Sequence, residues 1–299
     1  MTFSTETIDV SYDLCRQTAR QSGSNFYTCF FGLPRPKRRA MDALYAFMRY
    51  TDDLADDPQP VEDRRVALSN WRAALAHALD SRLDTIGQLP GCDLLPAVAD
   101  TIERFGVPPD YLHAVIDGVE MDLTTNRYET FAELETYCEK VASAVGMACI
   151  HVWGFRGREA LEPARKCGIA MQLTNVLRDL KEDARRDRVY LPLADLRHCD
   201  YTVDDLLAGV ADERFEKLMD FEIGRAEWYY RKGAELMDWL EPGGRRIFGM
   251  MMSTYRALLR KILHRPQAVF ARRVRLSRPK KLQIAARWTL LPTRTAALP

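Results

Sequence analysis

Two segments of the chain each carry a row of polar side chains within an otherwise apolar helix, and these rows restrict the folds that the chain can adopt. In the segment GIAMQLTNVLRDLKEDA, residues 168–184, helical periodicity places Gln172, Asn175, Asp179 and Asp183 along one side. The flanking residues are apolar, which predicts that the helix is buried apart from this row. A polar row in such a setting predicts a bound ligand.

The segment ALYAFMRYTDDLAD, residues 43–56, carries the second row. Tyr45, Arg49, Asp52 and Asp56 have the spacing i, i+4, i+7 and i+11. In each row two aspartates stand four residues apart, about 6 Å from each other on one face, and their repulsion favours a cation between them. Either row alone is typical of ion pairing on a helix surface. Two such rows facing each other favour Mg²⁺, which binds through one or two carboxylates together with substrate phosphates.

Basic side chains accompany both rows. Arg49 belongs to the first row, and the second is surrounded by Arg178, Lys181, Arg185, Arg186 and Arg188. Guanidinium groups bind phosphate oxygens in bidentate fashion and stabilise a leaving diphosphate. The sequence therefore predicts a diphosphate site in which metal ions bridge the carboxylates and the phosphates.

Helical periodicity extends along most of the chain, and no segment shows sustained period-two alternation. A first helix presents Tyr12, Cys15 and Ala19 on one face, and Val66 is predicted to lie on the apolar face of a later one. Helices are predicted at residues 37–56, 62–83, 94–105, 109–125, 131–154, 168–184, 202–207, 212–240 and 245–263. No linker divides the chain, so we predict one all-α domain spanning residues 1–299.

Cysteine usage and the absence of long apolar runs bear on localisation. The seven cysteines are odd in number and lack a CxxC pair, which indicates free thiols in a reducing compartment and disfavours disulfides and zinc. Neither a signal peptide nor a spanning helix is indicated, since no run of 18 apolar residues occurs. We therefore expect a cytoplasmic protein, with peripheral contact at the inner face of the membrane as an option.

The C-terminal part of the chain is strongly basic. No Asp or Glu follows Glu241, whereas 14 Lys or Arg do. A basic segment with interleaved apolar residues is typical of contact with an anionic membrane, a nucleic acid or a bound phosphate, and a solvated tail is an equally good interpretation. We expect residues 256–287 to close part of the ligand site and to meet a membrane, and we expect no nucleic-acid partner.

The motifs DDLAD at residues 52–56, NVLRDLKED at 175–183 and RVYLP at 188–192 together resemble the squalene/phytoene synthase family of trans-isoprenyl diphosphate synthases. The resemblance covers almost the whole chain, and the second motif with its RVYLP extension is the more specific part. It implies a single-domain α-helical isoprenoid synthase (terpenoid synthase) fold with a central cavity. It also implies Mg²⁺-dependent, head-to-head joining of two prenyl diphosphates such as farnesyl or geranylgeranyl diphosphate.

The resemblance assigns roles to individual residues. The ligands of two or three Mg²⁺ ions, with Mn²⁺ as an alternative, would be Asp52, Asp56, Asp179 and Asp183. Catalytic roles would fall to Tyr45, Arg49, Tyr137, Asn175, Arg178 and Tyr190. Substrate contacts would come from Ser22, Ser24, Phe26, Phe30, Val141, Ala142, Val145, Gly146, Gly168, Gln172, Arg188, Tyr255 and Arg272. Which of the two serines contacts the substrate stays open.

The helix YCEKVASAVGMACIHVWG has an apolar face that includes Tyr137, Val141 and Val145, with Ala142 and Gly146 beside it. On the residues alone, the small side chains suit close helix packing as well as a tunnel wall. The resemblance favours a tunnel wall for the prenyl chains, with Tyr137 as a candidate proton acceptor beside the reacting carbons.

Three alternatives concern the product and the class of protein. DDLAD together with SGSNFY is more similar to bacterial presqualene diphosphate and squalene synthases than to phytoene or dehydrosqualene synthases, because phytoene synthases more often have DE in the first motif. No Gly-rich dinucleotide loop is visible, which favours release of the product to a downstream reductase or desaturase over reduction with NADPH. Terpene cyclisation would require a different second motif. A non-enzymatic, membrane-associated phosphate-binding adaptor would leave the aspartates dispensable.

Overall fold

A computed structural model describes residues 3–21, 27–80 and 90–290, and these residues are predominantly helical. No β-strand occurs within these ranges; extended backbone is limited to isolated bridges between Arg127 and Val189 and between Phe155 and Leu240. The all-α class predicted from the periodicity is therefore confirmed.

The described residues form fifteen α-helices in chain order. The first eight are α1 (Thr5–Gln21), α2 (Arg35–Asp56), α3 (Val61–Leu79), α4 (Leu95–Phe105), α5 (Pro109–Met121), α6 (Phe131–Cys138), α7 (Ala144–Trp153) and α8 (Leu161–Ala184). The remainder are α9 (Leu193–His198), α10 (Val203–Ala208), α11 (Glu213–Ala234), α12 (Leu236–Trp239), α13 (Pro242–His264), α14 (Ala268–Ala271) and α15 (Arg278–Leu290). Short 3₁₀ turns occupy Tyr27–Gly32, Cys92–Leu94 and Arg158–Ala160.

Most helices lie where the sequence predicts them, and the differences have local causes. The helix predicted at 109–125 ends at Met121, followed by a turn in which the N–H groups of Thr124 and Thr125 both bond the carbonyl of Met121. The helix predicted at 131–154 is interrupted by a π-helical turn at Glu139–Ser143. Val66, predicted to be on the apolar face of its helix, is 51% exposed, so this prediction was wrong.

Helix α8 owes its central position to its small residues. It packs against α7, α11, α13 and the π turn. A Cβ atom at Gly168 would lie 2.6 Å from the Cα of Ser143 in the π turn, and one at Gly233 would lie 2.8 Å from the Cα of Cys167. Glycine therefore permits backbone contact on two sides of α8.

Helix α7 fixes the relation between the two polar rows. It packs against both α2 and α8, while α5 packs against α2 and the π turn. The buried apolar side chains of these helices belong to one cluster, which includes Phe47 of α2, Ile150 of α7 and Leu177 of α8. The rows are thus held on helices that flank a shared wall.

The basic C-terminal segment is folded up to residue 290. Helix α15 packs on α13 through Ile284 and Trp288. The Trp288 ring covers Gly249, where a Cβ would lie 2.4 Å from it, and its Nε1–H donates to the hydroxyl of Ser253 at 2.8 Å. A solvated tail is therefore the wrong interpretation for residues 278–290.

Within the described ranges, none of the helices combines the length and the hydrophobicity that a bilayer crossing requires.

The close approach at Gly168 predicts an asymmetric response to alanine. In Gly168→Ala the new methyl group meets backbone atoms that cannot move aside, so we expect the free energy of unfolding to fall by about 2 kcal/mol. Gly224 in α11 is the matched control, because no atom lies within 4 Å of its Cβ position. Gly224→Ala should raise stability by up to about 1 kcal/mol. Urea denaturation measures both, and equal stability of the two variants would contradict the packing described here.

Candidate active site

The first polar row occupies the C-terminal half of α2. Thr51 and Ala55 are buried, whereas Asp52 and Asp56 on the neighbouring face of the helix are exposed. Within the described residues, Arg49 forms no hydrogen bond or ion pair with either of them. Its guanidinium bonds the neighbouring carboxylate of Asp53, with Nε 3.1 Å from Oδ2. The guanidinium of Arg49 therefore lies beside the first row, close enough to turn towards an anion bound there.

The second row lies on α8 and is partly held by arginines. Arg178 and Arg273 both bond the carboxylate of Asp179, and Arg273 does so in bidentate fashion at 2.9 and 3.0 Å. The carboxylate of Asp183, by contrast, makes no hydrogen bond or ion pair with any described residue. Asp179 is thus neutralised by two arginines, whereas Asp183 has no such partner among the described residues.

Asn175 completes the second row with an unused acceptor. Its Nδ2 lies 3.2 Å from Oε1 of Gln172, and the hydroxyl of Tyr255 is beside it. Its Oδ1 is buried without a hydrogen-bond partner among the described residues. A buried carbonyl oxygen in this state has lost its hydration without compensation, which indicates a missing donor or cation.

The two rows face each other across the segment that follows α8. Arg186 bonds both carboxylate oxygens of Asp56 at 2.9 and 3.0 Å, and Nη1 of Arg188 lies 3.5 Å from the same carboxylate. Asp187 adopts φ +55°, which reverses the chain and brings Val189 N to the carbonyl of Asn126 at 2.9 Å. The segment after the second row therefore places Arg186 and Arg188 beside Asp56 of the first row.

Two of the acids have raised pKa values. Burial by the surrounding protein raises the pKa of Asp183 to about 7, and Asp179 and Asp122 also raise it. The pKa of Asp52 is also raised to about 7, first by burial and then by Asp122 and Asp56, although Arg49 opposes the shift. Asp52 keeps accessible surface, but a side chain on a concave wall can touch water and still lose much of its hydration. A bound cation would stabilise the ionised form of both carboxylates.

A cluster of three tyrosines and one aspartate adjoins these acids. Tyr190 donates to Oδ1 of Asp122 at 2.7 Å, and Tyr137 donates to Oδ2 at 3.0 Å. The Tyr137 and Tyr190 rings stack at 5.2 Å, with Tyr128 packed against both. The sequence predicted Tyr137 and Tyr190 but missed Asp122. Its signal was an acid at the C-terminal end of α5, where the helix dipole disfavours negative charge.

The π turn and α7 form the small-residue wall. Val141, Ala142, Val145 and Gly146 all keep partial exposure, whereas the neighbouring Ser143 is buried. Such turns recur at functional sites because they redirect side chains within a helix. Contact of these four residues with a substrate stays a prediction.

The remaining predicted residues divide into three groups. Phe30 and Tyr255 are buried at 2% and 4% exposure, and Tyr45 is half-buried on α2. Gly168 faces the π turn, which accounts for it by packing. The predictions at Ser22, Ser24 and Phe26 lie outside the described residues.

At the C-terminal end the structure favours Arg273, which the sequence analysis did not single out. Arg272 lines a cleft of about 140 Å³ beside Arg178, Lys181 and Arg185, but Arg273 makes the direct contact with Asp179. The two residues are adjacent on extended backbone, where successive side chains diverge. Sequence spacing could not decide between them.

The donor atoms fit Mg²⁺ better than other metals. Within the described ranges, no three Asp, Glu, His or Cys side chains come close enough to form a metal site by themselves. Asp52 of α2 and Asp183 of α8 have no ion-pair partner among the described residues, and together with Oδ1 of Asn175, also on α8, they offer hard oxygen atoms from two helices. Mg²⁺ accepts one or two such ligands and completes its shell with water and phosphate. The residues present therefore fit Mg²⁺ that arrives with a diphosphate.

Comparison with known proteins gives matches along most of the chain. The protein-family model described as squalene/phytoene synthase matches residues 19–280. The 15-cis-phytoene synthase of Synechocystis sp. is 36% identical over 289 residues, covering 92% of this chain and 83% of the relative. The presqualene diphosphate synthase of Sinorhizobium fredii is 34% identical over 273 residues, covering 90% of this chain and 94% of the relative.

Solved structures agree with these matches. A squalene synthase from Alicyclobacillus acidocaldarius superposes with a TM-score of 0.80 at 25% identity, covering 89% of this chain and 97% of that one. A dehydrosqualene synthase crystallised with a ligand gives a TM-score of 0.84 at 24% identity, covering 95% and 97% of the two chains, which supports the shared fold.

The bidentate contact of Arg273 predicts a difference between two adjacent arginines. Arg273→Ala should weaken the binding of inorganic diphosphate in the presence of Mg²⁺ by about tenfold to a hundredfold, since one pair of charge-assisted hydrogen bonds is lost. Binding of Mg²⁺ alone should not weaken, because Asp179 loses a competitor. Arg272→Ala is the matched control and should have a smaller effect. Isothermal titration calorimetry measures both, and a larger loss in Arg272→Ala would contradict the assignment.

Proposed function

Because the chain belongs to the squalene/phytoene synthase family, we propose that its two polar rows hold a pair of prenyl diphosphates while their hydrocarbon chains are joined head to head. Membership makes the protein a prenyltransferase of isoprenoid biosynthesis and confirms the resemblance seen in the motifs. One observation carries the proposal: Asp56 of the first row is bonded to Arg186, two residues beyond the helix that bears the second row. Both rows can therefore act on one diphosphate.

The residues of the two rows would hold the metal and the leaving group. Divalent metal ions, which this family generally uses to ionise prenyl diphosphates, supply positive charge to the departing anion when bound. Asp52, Asp56, Asp179 and Asp183 would be their ligands, with Oδ1 of Asn175 as a further oxygen.

The arginines beside the two rows would then move from carboxylates of the protein to the diphosphate of the substrate. Arg49 and Arg178 donate hydrogen bonds to the carboxylates of Asp53 and Asp179, respectively. When a diphosphate enters, their guanidinium groups can turn to its oxygens while the carboxylates turn to the cations. Arg188 lies between Asp56 and the backbone of Asp122 and would bind phosphate from the opposite side. The anion would thus leave into a preformed set of charges.

The apolar wall would protect the carbocation. Loss of diphosphate from one substrate leaves an allylic cation, which the double bond of the second substrate attacks. Deprotonation then closes a cyclopropane. Val141, Val145 and the tyrosine rings would exclude water that could trap the cation.

For the substrate we propose farnesyl diphosphate, with presqualene diphosphate as the released product. The DDLAD form of the first motif supports this choice. Phytoene formation from geranylgeranyl diphosphate is the second candidate, supported by several relatives named phytoene synthase, two of them at 36% identity. NADPH would not be required, because release is favoured over reduction.

Product analysis tests the chain length. Incubation with Mg²⁺ and either farnesyl or geranylgeranyl diphosphate, with and without NADPH, should give presqualene diphosphate from the C15 substrate without NADPH. Phytoene from the C20 substrate would establish the second candidate instead. A hydrocarbon formed only with NADPH would contradict release.

The facing rows predict that one acid from each is indispensable. Asp52→Asn and Asp179→Asn should each lower kcat for product formation by at least about a hundredfold, because the leaving anion loses its neutralising charge. Asp57→Asn is the matched control: Asp57 lies next to the row, and its Oδ1 accepts from the N–H of Gln59, which Asn can also do. Thermal unfolding should be similar in all three. Unimpaired product formation in either row variant would refute the proposed role and favour the adaptor alternative.

We also propose that α15 meets an anionic membrane that takes up the apolar product. Leu282 and Leu290 are 70% and 79% exposed on the side opposite the buried Ile284 and Trp288. Helical spacing puts Arg278 beside Leu282, and the chain has no acid after Glu241. An exposed apolar strip with basic neighbours is typical of interfacial helices.

Vesicle flotation tests the membrane contact. The protein should float with phosphatidylglycerol vesicles more than with phosphatidylcholine vesicles, and Leu282→Asp should lower the floated fraction severalfold because a charge replaces the inserted side chain. Leu207→Asp is the matched control, since Leu207 is 41% exposed on α10, which lies outside residues 256–287 in the sequence. If the wild-type protein does not bind anionic vesicles, α15 has only its packing role.

A further inference from the structure

The carboxylate of Asp122 is joined to two tyrosine hydroxyls beside the proposed site. From this arrangement we infer that Asp122 is the final proton acceptor of the condensation and receives the proton through the hydroxyl of Tyr137. The inference rests on the proposed function, because it concerns the deprotonation that closes the cyclopropane. It adds a residue and a route to a step that otherwise has only a candidate acceptor.

The hydrogen-bond geometry gives each carboxylate oxygen its own donor. Tyr190 donates to Oδ1 at 2.7 Å and Tyr137 to Oδ2 at 3.0 Å. The two hydroxyl oxygens are 3.5 Å apart, a weaker contact than either bond to the carboxylate. The protons of both tyrosines are therefore directed at Asp122, and the lone pairs of both phenol oxygens are left to accept a hydrogen from elsewhere.

Tyr137 is the better entry point for a substrate proton. It lies immediately before the π turn, and Val141, one turn further along, keeps partial exposure on the small-residue wall. Tyr190 instead follows Arg188, on the side where the diphosphate would bind. Tyr190 is thus a positioning residue that holds the second oxygen of Asp122.

The position of Asp122 is costly for a structural role alone. It caps the C-terminal end of α5, where the helix dipole repels a carboxylate. Among the described residues, no Lys or Arg forms an ion pair with its carboxylate; Arg188 bonds its backbone carbonyl instead, at 3.4 Å. Burial raises the pKa of Asp122, and Asp56 raises it further, against the two tyrosine hydrogen bonds and Arg188. A carboxylate in this state has an increased affinity for a proton.

Tyr137 cannot serve as the final acceptor by itself. Burial raises its pKa well above 10, and the neighbouring Asp122 carboxylate raises it further, so the tyrosinate form is disfavoured. A neutral phenol oxygen can accept a proton only if it passes its own to another base. The only carboxylate to which the Tyr137 hydroxyl is bonded within the described ranges is Asp122.

A C–H bond breaks on the carbon that has lost its diphosphate, two bonds away from the cationic carbon left by the attack of the double bond. The electron pair of this C–H bond forms the third C–C bond of the cyclopropane. The proton passes to the Tyr137 oxygen while the original Tyr137 proton passes to Oδ2 of Asp122. The carboxylate becomes a carboxylic acid, Tyr137 is unchanged, and the proton leaves to solvent after product release.

The variant Asp122→Asn tests the relay, because Asn keeps an acceptor oxygen for one tyrosine but cannot take up the proton. With Mg²⁺ and the active prenyl diphosphate, we expect kcat for the cyclopropyl product to fall about a hundredfold while KM changes less than about threefold. Diphosphate release should exceed product formation severalfold, with the difference recovered as prenyl alcohols from water capture. Asp117→Asn, on the same helix and paired with Arg72, is the control and should keep the wild-type ratio.

A second variant separates the relay from a folding defect. Tyr137→Phe removes the hydroxyl and keeps the ring and the carboxylate, so it should show the same excess of diphosphate over product. Product formation within threefold of wild type in either variant would overturn the relay. So would a loss of product with diphosphate release reduced to the same extent, which indicates a failure before deprotonation. A wild-type protein inactive on both prenyl diphosphates would refute the proposed function, and the relay with it.

Discussion

The structure depends on the balance between the mutual repulsion of facing carboxylates and their attraction to the arginines that lie between them. Burial raises the pKa of Asp52, Asp122 and Asp183, and neighbouring carboxylates raise it further. Arg186 and Arg188 neutralise Asp56, and Arg178 and Arg273 neutralise Asp179, while Asp52 and Asp183 have no ion-pair partner among the described residues. The proposed metal-bound diphosphate would supply the positive charge that these two carboxylates lack.

Close packing makes this arrangement possible. Opposing carboxylates repel, so the helices that bear them must be fixed by contacts elsewhere. The backbone of α8 lies against the π turn at Gly168 and against α11 at Gly233, and α7 contacts both row-bearing helices. The π turn has two functions in this frame: it allows α8 to approach, and it sets the direction of the small-residue wall. The stability of the helical frame thus offsets the unfavourable charge of the site.

The sequence predicted those parts of the site that follow from local periodicity. Both polar rows and the helices that bear them were found because spacing along a helix determines which side chains share a face. Tyr137 and Tyr190 were identified instead through the family resemblance. Asp122 and Arg273 were missed because their partners are distant in sequence: Asp122 is 68 residues from Tyr190, and Arg273 is 94 residues from Asp179. The π turn was invisible for a different reason, since one inserted residue leaves the apolar pattern nearly unchanged. Helix α15 was obscured by its charge, although Trp288 is the side chain that anchors it.

That anchor also determines how far Arg273 can move. Val274 is buried, and the carbonyl of Arg275 accepts from Nζ of Lys261 on α13 at 2.7 Å. Arg273 thus lies in the segment that connects α13 with α15, and Trp288 holds these two helices together by packing on Gly249. A displacement of α15 from α13 would also displace Arg273, which is bonded to the carboxylate of Asp179. The packing of α15 on α13 therefore also constrains one of the two guanidinium groups that neutralise Asp179.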